Sequence, residues 1–370
     1  MKTITTKFHD LKPSYPISSL ADEKEILFID IETTGLTAKN SNLYLIGCVY
    51  YKDDEWQSIQ WFAEKYEEEL SVLSSFFTFL KDYKFLINYN GNQFDIPYLV
   101  QKCEQFNLDY NFDNCGGIDI YKRIKPYKNI LGLYDLKQKT IEEFLGIERD
   151  DVYSGRELIE KYHNYVCEPD EQSLNEILLH NEDDLKGMLK IISMLSYSDL
   201  FNKPVRVMKA QANYFNDENK KRSQEIIMKL RFDSPLPVQT SFRGLGCYFS
   251  GEGIDGSLKV PLFEEEMKYF YSNYKNYYYL PAEDIAMHKS VATFVDKAHR
   301  VQATAQNCYT RKQSLFLPQF DIIFTPFFKR DYKSRELFFE LTDEFKKSRS
   351  GFGLYAEHIL NCMLDYNMNA

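Results

Sequence analysis

The stretch ILFIDIETTGL, residues 26–36, reads as a buried β-strand carrying two acids, Asp30 and Glu32. Side chains alternate along a strand, so these acids project from one face while Ile29 and Ile31 project from the other. The two Cβ atoms then lie roughly 6 to 7 Å apart. Carboxylates held that way on a mostly buried strand repel each other and lose hydration, so at least one is neutralised or protonated unless a cation sits between them. Hard oxygen ligands of this kind imply Mg²⁺ or Mn²⁺. The plainer alternative is a strand end that emerges into solvent at the TTG turn.

Working outward, apolar or aromatic runs at 25–32, 43–51 and 56–62 predict three successive strands, and KFLINYN, 84–90, predicts a fourth. Between them, residues 64–83 place Leu70, Leu73, Phe77 and Leu80 at helical spacing. Asp95 followed closely by Pro97 is an N-cap and first-turn signature, so a helix opens there. Further helices are predicted over 135–145, 155–165, 171–180 and 182–197. The order β-β-β-α-β-α, followed by more helix, predicts an α/β domain with a mixed sheet flanked by helices. From about residue 201 Tyr and Phe become dense, which predicts a smaller mixed α/β C-terminal domain. Its expected strands are YKNYYYL (274–280) and QSLFLPQFDIIF (313–324), and residues 334–364 read as two helices broken near Ser350–Gly351. The expected organisation is an N-terminal extension over 1–24, the α/β domain over 25–200 and the second domain over 201–370.

With 370 residues and 44% hydrophobic content, the chain can build one large core or two ordinary ones. Its seven scattered cysteines form no C-x-x-C pair and read as free thiols in a reducing compartment. The N-terminus lacks a signal-peptide core, and no apolar run reaches the ~18 residues of a membrane span, so the expected location is cytoplasmic, with no membrane partner. The net charge of −10 is unevenly spread: residues 1–200 hold 21 Lys+Arg against 35 Asp+Glu, whereas residues 201–330 hold 19 against 13. A basic section of this kind steers polyanions only where its charges cluster.

Three further acids and a histidine extend the opening pair. In NYNGNQFDIPYL, 88–99, Asp95 sits where the fourth strand has turned into a helix at the edge of the same sheet. In LLHNEDDLKGM, 178–188, His180 and Asp184 are four apart on one helical face, with Asp183 on a neighbouring line. An N-cap is the plainer role for Asp95, and a surface contact the plainer role for the His–Asp pair.

Taken in order, DIETTGL, N-x-N-G-N-x-F-D-x-P-Y-L and H-N-E-D-D-L resemble the motifs of the DEDD superfamily of 3′-to-5′ exonucleases, which have a ribonuclease H-like fold. The narrower resemblance is to the YprB-type ribonuclease H-like family, supported by the L-K, E, L-G-I and R-D-D positions within 134–165. The resemblance spans roughly residues 24–197. It implies that Asp30, Glu32, Asp95 and Asp184 hold two divalent ions, Mg²⁺ or Mn²⁺, and that His180 activates water. Histidine is the side chain whose ordinary pKa suits that task near neutral pH. The His sits four residues before Asp184, whereas the best-known histidine-type members place it five before. This spacing leaves Asp183 as the alternative fourth ligand, with Asp184 favoured. The resemblance also makes the backbone of Thr33, Thr34, Gly35 and Leu36 a cradle for the terminal nucleotide, while Asn90 and Gln93 either contact substrate or brace their loop.

The implied activity is two-metal hydrolysis of DNA or RNA, with a single-stranded 3′ end favoured. The alternatives are a structure-selective ribonuclease H-like endonuclease and a non-catalytic nucleic-acid-binding protein with a relic site; the presence of all four acids counts against the relic. In the second domain, Lys275 among four tyrosines, and the group His288, Lys289, Lys297, His299, Arg300, Arg311 and Lys312, are candidates for nucleic-acid contact. Cross-strand core packing and a solvated face are the plainer readings.

Overall fold

A computed structural model of the chain describes residues 1–150, 153–216 and 222–369. The third residue of R-D-D, Asp151, lies outside them. The chain divides into two compact units, Met1–Asp199 with Ser234–Gln239, and Leu200–Asp233 with Thr240–Ala370. Ser234–Gln239 belong with the first because Asp199 accepts hydrogen bonds from Ser234 and Tyr15, and Tyr197 donates to the carbonyl of Val238.

The first unit is built on a six-stranded mixed sheet in the order β1-β4-β3-β2-β5-β6. Its strands are β1 (Lys2–Lys7), β2 (Ile26–Thr33), β3 (Leu43–Lys52), β4 (Glu55–Phe62), β5 (Phe85–Asn88) and β6 (Gly116–Asp119). Strands β2, β3 and β4 form an antiparallel meander. The β3–β4 hairpin closes through Asp53 and Asp54, both left-handed at φ 54° and 62°, the geometry that matches the twist of a two-residue hairpin. Strands β5 and β6 add in parallel, as strands separated by helical crossovers do.

The helices of this unit are α1 (Glu69–Leu80), α2 (Asp95–Gln105), α3 (Ile120–Ile124), α4 (Gln138–Phe144), α5 (Gly155–Cys167) and α6 (Glu171–Ile191), and α7 (Leu195–Asn202) follows. Leu27, Ile29 and Ile31 of β2 share a core with Val72, Leu73 and Phe76 of α1. That side of the strand is filled with apolar groups, so Asp30 and Glu32 are left to the opposite side, where α6 packs.

Several expectations change. Lys2–Lys7, assigned to an extension, form an edge strand antiparallel to β4, and the β-branched run TITT suits that role. The helices expected at 171–180 and 182–197 are one 21-residue helix through Ile191, because nothing at Asn181 breaks it. The short strand β6 escapes a pattern reading because two of its four residues are glycine. In α1, Leu70 is exposed, and the buried stripe is Val72, Leu73, Phe76, Phe77 and Leu80.

The second unit holds another six-stranded sheet and a three-stranded one. The larger comprises β7 (Arg206–Asn216), β8 (Arg222–Gly244), β9 (Cys247–Phe270), β13 (Tyr309–Gln319), β14 (Phe327–Phe328) and β15 (Leu337–Glu340). The smaller comprises β10 (Tyr277–Leu280), β11 (Ile285–His288) and β12 (Val301–Gln302), with the one-turn α8 (Lys289–Ala292) after β11. The first of the two closing helices predicted at 334–364 is instead β15 and the short α9 (Asp343–Lys347), and α10 (Arg349–Asn369) begins just past Ser348. Phe338 and Phe339 of β15 point to opposite faces and are both buried, because the strand is covered on both sides where it pairs with β13. The cysteines are all unpaired. No helix among the described residues is long and apolar enough to cross a membrane.

Candidate functional site

Asp30 is held by a row of residues crossing three strands. Asp30 pairs with Gly47 on β3, and Gly47 pairs with Gln60 on β4. Asn181 of α6 lies over the glycine and joins the two ends. Its Oδ1 accepts from Gln60 Nε2 at 2.9 Å, and its Nδ2 donates to Asp30 Oδ2 at 2.8 Å. Gln60 Nε2 also donates to the Leu178 carbonyl at 3.0 Å, which fixes its amide orientation and, through it, that of Asn181. A methyl group on Gly47 would stand 2.0 Å from Asn181 Oδ1 and 2.7 Å from Leu185 Cδ1. Gly47→Ala therefore forces α6 away from β3. The expected cost is about 1–3 kcal/mol of stability by overpacking, read as a lower midpoint in chemical denaturation. A wild-type midpoint would show that the helix does not need this close approach.

Beyond Asp30, the side chains of Glu32, His180 and Asp184 converge. Each offers one ligand atom, and the three atoms lie within 4.8 Å of one another. His180 Nε2 is 3.4 Å from Asp184 Oδ2 and 3.7 Å from Glu32 Oε1. Among the described residues this is the group of metal-ligating side chains that the fold assembles.

The other oxygen of Asp184 is held from behind. Arg149 donates Nη2 to Asp184 Oδ1 at 2.7 Å and Nη1 to the deeply buried Glu142 Oε2 at 2.8 Å. Burial works against the Arg149 charge, but Asp184 and Glu142 more than offset it and raise the guanidinium pKa. Gln138 Nε2 bridges Glu142 Oε1 and the Asp184 carbonyl. Gly187 makes room for this contact, since a Cβ there would lie 2.0 Å from Glu142 Oε1. Asp183 points elsewhere: its Oδ2 accepts the Asp150 backbone N–H at 3.0 Å.

Asp95 opens α2 as its first residue, and the N-cap position belongs to Phe94, which makes no capping bond. The N-cap expectation is corrected accordingly. The Asp95 carboxylate accepts the backbone N–H groups of Asp95 itself and of Ile31. Burial pushes its pKa up to about 7, helped by the charge of Asp119, against the lowering effect of those two bonds. Asp30 is raised well above the usual carboxyl range, first by burial and then by the charges of Asp184, Glu32 and Asp95, with the Asn181 bond opposing. The other three predicted acids thus act electrostatically on Asp30, and His180 stands beside Glu32 and Asp184.

The remaining predicted contacts lie at the rim. The β2–β3 register shifts between Glu32 and Thr33, and the chain then turns outward. Buried Thr33 donates its hydroxyl to the Gly35 carbonyl, which also accepts from Ser41, and Thr34 N donates to the Asn42 carbonyl. The neighbour that approaches Gly35 closely is Ser41, whose Cβ would lie 3.2 Å from an added methyl. Leu36 projects from this tied segment and is 86% exposed. Asn90 is left-handed at φ 61°, donates its N–H to Asp119 Oδ1, and has a buried Oδ1 with no hydrogen-bond partner. Gln93 is exposed, and its backbone N–H closes the turn onto the Asn90 carbonyl.

Sequence reasoning missed Asn181, Gln60, Gly47, Arg149, Glu142 and Asp119 as parts of this assembly. A signal existed for Gly47, because an isolated glycine inside an otherwise bulky strand marks close approach by another element. Asn181 lay inside the quoted motif, and Arg149 inside R-D-D. Glu142 and Gln60 became meaningful only once partners distant in sequence were in place.

Residues 27–196 match the family model described as the RNase_H superfamily. Among solved structures, the family B DNA polymerase of the hyperthermophilic archaeon Pyrobaculum calidifontis is similar at 17% identity and a TM-score of 0.38, over 47% of this chain and 25% of that one. Exonuclease I of E. coli in complex with a dT13 oligonucleotide is similar at 10% identity and a TM-score of 0.32, over 56% of this chain and 55% of that one. The chain therefore spans a quarter of the polymerase and just over half of the exonuclease. No curated protein sequence matches it significantly. The six-stranded mixed sheet and its flanking helices, over the residues that this family model matches, are consistent with an RNase H-like fold.

Proposed function

We propose that the RNase H-like domain hydrolyses phosphodiester bonds of DNA or RNA in a metal-dependent reaction, removing nucleotides from a 3′ end. One observation carries this reading: ligand atoms of Glu32, His180 and Asp184 converge to within 4.8 Å, and burial together with the charges of Asp184, Glu32 and Asp95 drives the Asp30 carboxyl far up. A cluster loaded in this way fits a cation better than it fits bulk water.

The donor set of four carboxylates offers hard oxygen ligands, which suit Mg²⁺ or Mn²⁺. When bound by the four acids, two such ions would supply positive charge to the phosphate and the leaving oxygen and lower the pKa of a water. The protein's own groups do the rest. Asn181 and Gln60 fix the Asp30 carboxylate, and Arg149 fixes that of Asp184, so the ligand atoms are positioned before substrate arrives. His180 Nε2, directed between Glu32 and Asp184, is placed to accept a proton from water. The tied Thr33–Leu36 segment presents backbone and the exposed Leu36 side chain to a terminal nucleotide.

The test is incubation of the purified chain with end-labelled single-stranded and duplex DNA and RNA, with Mg²⁺, Mn²⁺ or EDTA. A metal-dependent ladder shortening from the 3′ end is expected. A single internal cut would replace this reading with a structure-selective endonuclease. Cleavage that persists in EDTA would overturn metal dependence.

A further inference from the structure

The three-stranded sheet β11-β10-β12 has two unlike faces. Tyr277 and Tyr279 lie on one, packed with Ala286, Ala303 and Cys308 in a small core. Tyr278 alternates to the other, where its cross-strand partners are Met287 and Gln302. Above its ring stand Lys289 Nζ, 5.3 Å from the centroid, and the Arg300 guanidinium, at 4.9 Å. Arg300 is anchored by donating to the Ala292 carbonyl.

Among the described residues neither cation has a carboxylate partner. The nearby acids are engaged elsewhere: Asp284 accepts from the hydroxyls of Tyr279 and Tyr309, and Asp296 caps the turn at Ala298. Between the two cations in sequence, Phe294 is 93% exposed. Single apolar side chains on a surface are ordinary. Here a nearly bare aromatic accompanies two uncompensated cations held in place by a second ring.

We propose that the Tyr278 face of this sheet binds single-stranded nucleic acid. Lys289 and Arg300 neutralise consecutive phosphates, and Phe294 offers a face on which a base stacks. Tyr278 limits the freedom of both cations through cation–π contact, so less entropy is lost when phosphate arrives. This proposal rests on the reading of the front domain as one that acts on nucleic acid, and it adds a second, non-catalytic contact.

The experiment is fluorescence anisotropy of a labelled oligo-dT and oligo-rU of about 20 nucleotides with the full chain in EDTA, across a salt series. The Lys289→Ala/Arg300→Ala variant is expected to bind about tenfold more weakly, with a salt slope smaller by about one to two. Phe294→Ala is expected to bind about tenfold more weakly with an unchanged slope. Lys289→Glu, at a side chain making no hydrogen bond among the described residues, gives the same direction if the double variant unfolds. Cleavage of a dinucleotide by these variants stays at the wild-type rate. Wild-type affinity and slope in all these variants, alongside intact metal-dependent cleavage, would overturn this proposal alone. Absence of both cleavage and binding in the wild type would overturn the front-domain reading with it. Binding to phosphatidylserine vesicles that the variants abolish, with oligonucleotide binding unaffected, would assign the face to a membrane surface and also overturn the proposal.

Discussion

Asp30→Asn is expected to lower metal-dependent cleavage by at least about 10²–10³-fold, the scale of losing one electrostatic group from a reaction centre, while leaving the metal-free protein no less stable. Both halves follow from the same geometry. The substitution keeps the shape of the side chain, and an amide oxygen can still accept from Asn181 Nδ2. It removes the charge on which Asp184, Glu32 and Asp95 act, so their repulsion in the absence of metal falls. Folded Asp30 binds its proton more tightly than an unfolded aspartate does. Ionising it therefore costs folding free energy as pH rises through its folded pKa, and the neutral amide escapes that cost. Adding Mn²⁺ should raise the thermal midpoint of the wild type and raise that of the variant much less, by mass action on the folded state. Cleavage at the wild-type rate, or an equal Mn²⁺-induced shift, would remove Asp30 from the centre.

The opening strand was the most legible part of the chain because two independent patterns coincide there. Period-two alternation placed Ile29 and Ile31 in the core, and that same alternation forced Asp30 and Glu32 to the other side. The three strands of the meander were legible as separate runs, whereas their pairing and the continuity of α6 through Asn181 were not. The mixed sheet with flanking helices and the RNase H-like fold both agree with the expectation from sequence. Edge strand β1 and the glycine-containing β6 were not found, because each is short and stabilised by pairing with distant strands rather than by its own pattern. The closing β15 was mistaken for helix because FFEL fits either period over so few residues. At the site, the proposed ligands came from sequence order, but the groups that hold them did not. Gln60 and Asn181 are 121 residues apart, and Arg149 and Asp184 are 35 apart. Such bonds depend on helix–sheet packing, and local spacing carries no trace of them.

Among the two aspartates that follow His180, Asp184→Asn is expected to cost about 10²-fold or more in cleavage rate, and Asp183→Asn only a few-fold. Neighbouring positions on a helix point about 100° apart, so the two carboxyls cannot serve the same centre. Asp184 faces Glu32 and His180 with Oδ2 and has Oδ1 engaged by Arg149. Its replacement by an amide removes charge from the cluster and leaves the buried guanidinium with Glu142 as its remaining acid in this network. Asp183 uses Oδ2 on the Asp150 backbone N–H, a bond that an amide oxygen also makes. A companion variant separates ligand from support. Arg149→Gln retains every acid but releases the carboxylate of Asp184, so its expected signature is divalent-ion affinity weaker by about 10–100-fold, the usual effect of removing a group that orients a ligand. Calorimetric titration with Mn²⁺ measures this without reference to turnover, and saturating metal should recover much of the Arg149→Gln activity but none of that lost in Asp184→Asn. If Asp183→Asn proves the inactive variant and Asp184→Asn the tolerated one, the helix face that meets Glu32 is not the one that performs the chemistry. Unchanged Mn²⁺ affinity in Arg149→Gln would instead reduce that arginine to a link between α4 and α6.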